Sequence, residues 1–129
     1  MIHPETGVVL SRRRRIETVE YLDLKRTIEV EAFWPDDDGD GVLLGADHAA
    51  MSAALNDMKA EHAARIRALS VKIRKAAGLT QKEASQLLTG SPNSFSKYER
   101  GEAQPSWPTF LLLKLIAADP SLIDKIKAA

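Results

Sequence analysis

Thr80-Gln81-Lys82-Glu83-Ala84-Ser85-Gln86-Leu87-Leu88-Thr89-Gly90-Ser91-Pro92-Asn93-Ser94-Phe95-Ser96-Lys97-Tyr98-Glu99-Arg100-Gly101 encodes two short helices and the turn between them. Thr80 and Glu83 have the spacing of a capping box, so a helix opens here and runs through Leu88, with Ala84, Leu87 and Leu88 on its inner face. Thr89-Gly90-Ser91 interrupts it. Ser91-Pro92 offers a capping hydroxyl and then a residue with no N–H to leave unsatisfied. This predicts a second helix from Pro92, with Phe95 and Tyr98 as its apolar i, i+3 pair and Gly101 as its stop. With small Ala84 where the two helices cross, the segment reads as a helix-turn-helix.

The outer face of the second helix carries Asn93, Ser94, Ser96, Lys97 and Arg100. A carboxamide can hold adenine through two hydrogen bonds and an ammonium can donate to guanine, so Asn93 and Lys97 are the candidate base readers on double-stranded DNA. Gln81, Lys82, Ser91, Ser94, Ser96 and Arg100 suit phosphates.

Upstream, Ile66, Leu69, Ile73, Ala76 and Ala77 fall at helical spacing before Gly78. Downstream, Ser106-Trp107-Pro108 caps a helix that is apolar around most of its circumference and therefore calls for burial on both sides. Pro120 restarts a last helix with Leu122, Ile123 and Ile126. Five helices with surplus apolar surface imply a homodimer through this half.

Residues 63–129 hold eleven basic and five acidic groups, a net of +6, which suits a polyanion. Residues 1–62 hold seven and thirteen, a net of −6. The chain total is zero, which taken alone would argue against a nucleic-acid binder. The charge split therefore marks two units, 1–62 and 63–129, with different partners.

In the first unit, Ile16 to Tyr21 and Thr27 to Ala32 alternate in polarity and flank Leu22-Asp23-Leu24-Lys25, which predicts an antiparallel hairpin. Val8-Val9-Leu10 and Val42-Leu43-Leu44 are candidate extra strands. From Asp47, placed as an N-cap, an alanine-rich helix is expected to run to about His62. The fold class is thus α+β, a small antiparallel β unit followed by a five-helix helix-turn-helix unit. Arg12-Arg13-Arg14-Arg15 reads either as a solvated strand edge protected by its charge or as a contact for an acidic partner or phosphates. Asp36, Asp38, Asp40 and Asp47 fall near the ligand positions of a calcium loop, with Gly41 at its sharp turn. The incoming segment reads as a strand, however, and Asp47 is short for a bidentate Glu, so a solvated acidic turn explains the same residues.

Zero cysteines exclude disulfides and thiolate zinc, and His3, His48 and His62 have no partner at metal-ligand spacing. No cofactor motif appears. Gly-rich phosphate loops, HExxH and nucleophile elbows are missing too, so nothing in the residues supports an enzyme. The longest apolar run, Phe110 to Ala118, is broken by Lys114, so the chain reads as cytoplasmic with no membrane partner.

Leu79-Thr80-Gln81-Lys82-Glu83-Ala84-Ser85, Asn93-Ser94-Phe95-Ser96-Lys97-Tyr98-Glu99-Arg100-Gly101, Ala103-Gln104-Pro105 and Leu111-Leu112 together resemble the Xre/Cro-type DNA-binding domain of MqsA-family antitoxins over about residues 66–127. The resemblance implies an antitoxin that represses its own operon as a dimer and neutralises a cognate, RNA-cleaving toxin. It places base reading at Asn93 and Lys97, where the family usually has Arg at the second position. Lys lacks the planar fork of Arg. It also implies a strand-containing N-terminal unit that docks the toxin and binds zinc through two Cys-x-x-Cys pairs. Those positions fall near His3, Thr6, Pro35 and Asp38 here, none of them cysteine. The other reading of the residues is a stand-alone Xre-type regulator whose first unit senses a ligand or calcium.

Overall fold

A computed structural model describes residues 1–129, which form two compact units, Met1–Lys59 and Ala60–Ala129. One two-stranded antiparallel sheet and five α-helices make an α+β fold.

In the first unit β1 (Ser11–Tyr21) pairs with β2 (Leu24–Trp34) in a register that sets Arg13 against Ala32, Arg15 against Val30 and Tyr21 against Leu24. Period-two alternation buries Val19, Val30, Ala32 and Trp34 on one face and leaves Ile16 in solvent on the other. The two-residue loop Leu22-Asp23 needs a left-handed residue, and Leu22 supplies it at φ 55° where glycine would be unstrained. The two expected extra strands are single bridges instead, Ile2 with Val9 and Phe33 with Val42. Each is too short to extend the ladder.

A 3-10 turn, Gly45–His48, leads into α1 (Ala49–Ala77). Asp47 does not cap α1. Its carboxylate accepts the Leu44 N–H at 3.0 Å, capping the 3-10 turn one step earlier. Nor does the helix end near His62. Ala60 to Ile66 contains no glycine or proline, so nothing stops propagation, and the buried positions Ala54, Met58, His62, Ile66 and Ser70 recur every fourth residue. Met58 and Ala54 pack with Val19 in the first unit, whereas Ile66 and Ile73 belong to the core of the second.

That second core gathers Ile66, Ile73, Ala84, Phe95, Phe110 and Leu113 from α1 and from α2 (Gln81–Thr89), α3 (Ser94–Arg100) and α4 (Trp107–Ala118), with Ile123 from α5 (Leu122–Ala128). Gly90 and Gly101 end α2 and α3 at φ 73°, and a Cβ on Gly101 would in addition come within 3.3 Å of Arg67. Within the chain α4 is covered on one side only. Phe110, Leu113 and Ile116 are buried, while Trp107, Leu111 and Leu115 are exposed at four-residue steps. No helix is long and apolar enough to cross a membrane.

Candidate functional site

The capping box forms as its spacing demands. Thr80 Oγ1 accepts the Glu83 N–H at 3.1 Å and Glu83 Oε1 accepts the Thr80 N–H at 3.0 Å, and these bonds hold the Glu83 carboxyl below its ordinary pKa. Gln81 and Lys82 follow in the first turn of α2, both exposed. Ala84 is fully buried, as a close helix crossing requires.

Two polar ties that spacing did not reveal hold α3 in place. Ser85, also fully buried, donates to Gln81 O at 2.7 Å and accepts the Phe95 N–H at 2.8 Å, so one hydroxyl satisfies an N–H at the open end of α3. The guanidinium of Arg74 on α1 grips Glu99 with both ends, Nη2 to Oε1 at 2.8 Å and Nε to Oε2 at 3.3 Å. This pairing raises the Arg74 pKa. A hydroxyl on the residue after the crossing alanine was the readable signal for the first tie. The second spans twenty-five residues and no local pattern announces it.

The second helix of the motif starts at Ser94, not at Pro92. Ser91, instead of capping it, donates its N–H to Thr89 Oγ1 at 3.3 Å within the turn, and Asn93 stands at the N-cap. Asn93 caps only through its backbone, whose carbonyl accepts the Lys97 N–H, so its carboxamide stays available. Asn93, Lys97 and Arg100 are exposed on one face of α3, while Phe95 and Tyr98 are buried on the other. Ser94 and Ser96 are half-buried, with the Ser94 hydroxyl accepting from Thr89 at 2.9 Å. Arg100 meets Glu102 at 2.9 Å in solvent, a weak pair that a phosphate can displace. The arrangement offers a carboxamide and an ammonium one helical turn apart, flanked by hydroxyls and cations.

In the first unit all four arginines have partners within the chain, while the side chains of Arg12, Arg13 and Arg14 stay well exposed. Arg12 forks onto the Asp47 carboxylate, Nη1 to Oδ2 at 2.7 Å, and lies over the Phe33 ring. Arg13 takes Asp36, and Arg14 lies 3.9 Å from Glu29. Arg15 stacks on Trp34 at 4.1 Å and donates to the carbonyls of Asp37 and Gly39, each at 2.8 Å. The run thereby fastens the acidic loop to the hairpin. The four aspartates considered for calcium do not converge. Asp36 and Asp47 are held by different arginines, and no three acidic or imidazole side chains gather as a metal would need.

The residues do not fit zinc either. In the N-terminal turn His3 Nδ1 accepts the N–H groups of Glu5 at 3.1 Å and Thr6 at 3.4 Å, closing the turn with an imidazole.

The Asp47 fork also predicts a pH response. Its hydrogen bonds with Arg12 and with the Leu44 N–H lower its pKa from 3.8 to about 2. A carboxyl depressed by folding stabilises above its unfolded pKa, and the gain is lost as pH falls through the folded one. Thermal melts of the wild type and Asp47→Asn should therefore differ by a constant amount above about pH 5, and the gap should close between pH 3.8 and about 2. A gap that is unchanged at pH 2 would rule out this ion pair as its source.

Comparison with known proteins adds two findings. A family model described as the antitoxin component of a bacterial toxin-antitoxin system, MqsA, matches residues 7–127. The antitoxin MqsA of Escherichia coli (strain K12) is 47% identical over 57 residues, covering 44% of this chain. The matched stretch spans 44% of that relative's length.

Proposed function

This chain belongs to the MqsA family of antitoxins, and on that premise we propose that it is a DNA-binding antitoxin of a type II system, which represses its own operon as a homodimer and neutralises a cognate RNA-cleaving toxin. The observation that carries the DNA reading is the face of α3, where Asn93, Lys97 and Arg100 are exposed opposite the buried Phe95 and Tyr98. On operator DNA, α3 lies in the major groove. Asn93 reads adenine with its uncommitted carboxamide and Lys97 donates to a guanine. Gln81 and Lys82 at the start of α2, together with Ser91, Ser94, Ser96 and Arg100, position the pair through phosphates. The net +6 of residues 63–129 supplies the salt-dependent part of the affinity.

The exposed Trp107, Leu111 and Leu115 stripe on α4 supports dimerisation through the C-terminal unit, because a second copy would cover it. The acidic N-terminal unit supports toxin docking there. Asn93→Ala is expected to cost about 1–3 kcal/mol on the operator and to relax preference at one base pair per half-site. Binding titrations on specific and random duplexes, with footprinting of two half-sites, test this. Equal loss on both duplexes would overturn the assignment of Asn93.

A further inference from the structure

The first unit contains an open cleft of about 820 Å³, a volume within the range of ligand pockets. Its apolar wall includes Trp34, Leu43 and Met51. Four carboxylates line it, Glu5, Glu17, Asp38 and Asp40. The cation beside them, Arg15, is already engaged by Trp34, Glu17 and two carbonyls. Glu5, Asp38 and Asp40 have no side-chain partner in the chain and are exposed. The cleft is therefore negative and complementary to a cationic ligand.

His3 provides an independent indication. Its side chain lines the cleft although the residue is only 7% exposed. Because Nδ1 accepts two backbone N–H groups, the ring N–H is on Nε2, and it has no acceptor within the chain. That Nε2–H opens onto the cleft, where a ligand carbonyl can accept it in place of water. Donor, carboxylates and apolar wall together match a peptide: a main-chain carbonyl for His3, a cationic side chain for the acids and an apolar neighbour for Trp34 and Met51.

We propose that this cleft binds a segment of the partner protein in which lysine or arginine alternates with apolar residues. The proposal deepens the toxin-docking reading and rests on it for the identity of the protein that carries the segment. The −6 charge of residues 1–62 steers such a segment inward.

The test uses the full chain, labelled with ¹⁵N and titrated with an acetylated, amidated pentapeptide alternating leucine and arginine. Shifts should cluster at His3, Gly41 and the Trp34 indole, and a glutamate version of the peptide should produce none. Asp38→Asn combined with Asp40→Asn alters exposed side chains that hold nothing in the fold, and it should weaken binding roughly tenfold. Absence of cleft shifts at millimolar peptide, an equal response to the glutamate peptide, or unchanged affinity in the double variant would overturn the proposal. A parallel arm measures the protein that the neighbouring gene encodes, tested as the cognate toxin. Toxin bound by wild type and double variant alike overturns the cleft as its dock and leaves the antitoxin reading standing. Toxin that fails to bind wild type overturns the antitoxin reading, and the peptide titration then decides the cleft alone.

Discussion

Phe95→Ala should cost the C-terminal unit about 3–5 kcal/mol, the usual loss when a buried phenylalanine is truncated. Phe95 is fully buried in the cluster with Ile66, Ala84, Phe110 and Leu113, and its ring lies 5.9 Å from that of Tyr98. Its own N–H is the one that Ser85 accepts, so a collapse around the missing ring also disturbs the tie between α2 and α3. Domains of this size are stable by about 5–15 kcal/mol, so the loss takes a large share of the total. Urea unfolding should show a much lower midpoint with an unchanged slope, and operator binding should fall with it. A loss below about 1 kcal/mol would mean that the site collapses freely and that Phe95 is not the pin of the motif.

Gly41→Ala is expected to dislodge the acidic loop from the hairpin. The backbone at Gly41 is not left-handed, so the reason is space: a Cβ would run into the Trp34 ring and the Phe33 carbonyl. Val42 next to it exchanges two hydrogen bonds with Phe33, at 2.8 and 3.1 Å, so the loop cannot slide away without breaking the bridge. The cost should be about 1–3 kcal/mol, as for overpacked cores, and larger if the bridge opens. Thermal denaturation measures the loss, and Trp34 fluorescence reports whether the indole becomes wet. An unshifted melting temperature would show that Trp34 yields to the methyl group without resistance.

The C-terminal unit was the more legible half because its signals are local. Thr80 and Glu83 cap each other over three residues, Gly90 and Gly101 stop their helices, and Ser106 caps α4 through the Thr109 N–H. The start of α3 was misplaced by two residues because Ser91-Pro92 has the composition of a cap, yet the Ser91 N–H is drawn back to Thr89 Oγ1 in the turn. The exposed set on α3 follows from helical periodicity once Phe95 and Tyr98 are recognised as its inner face.

In the first unit the hairpin was visible from alternation, but its fastening was not. Arg12 finds Asp47 thirty-five residues away and Arg15 finds Asp37 twenty-two away. No spacing rule connects such pairs. A dense cationic run beside a dense acidic loop shows only that the two could meet. The single helix through residues 60–66 was obscured because a change in composition resembles a boundary, whereas only glycine, proline or a competing cap ends a helix.

The turn that His3 closes and the loop that the arginines clamp share one trait: every cross-link they use is part of the polypeptide. A knuckle closed by thiolates folds only when an ion arrives, and chelators can undo it. Links of this kind need no ion to form, so a chelator is expected to leave the thermal melt of this unit unchanged. Those links are non-covalent, so limited proteolysis is expected to cut the segment in proportion to how often they open.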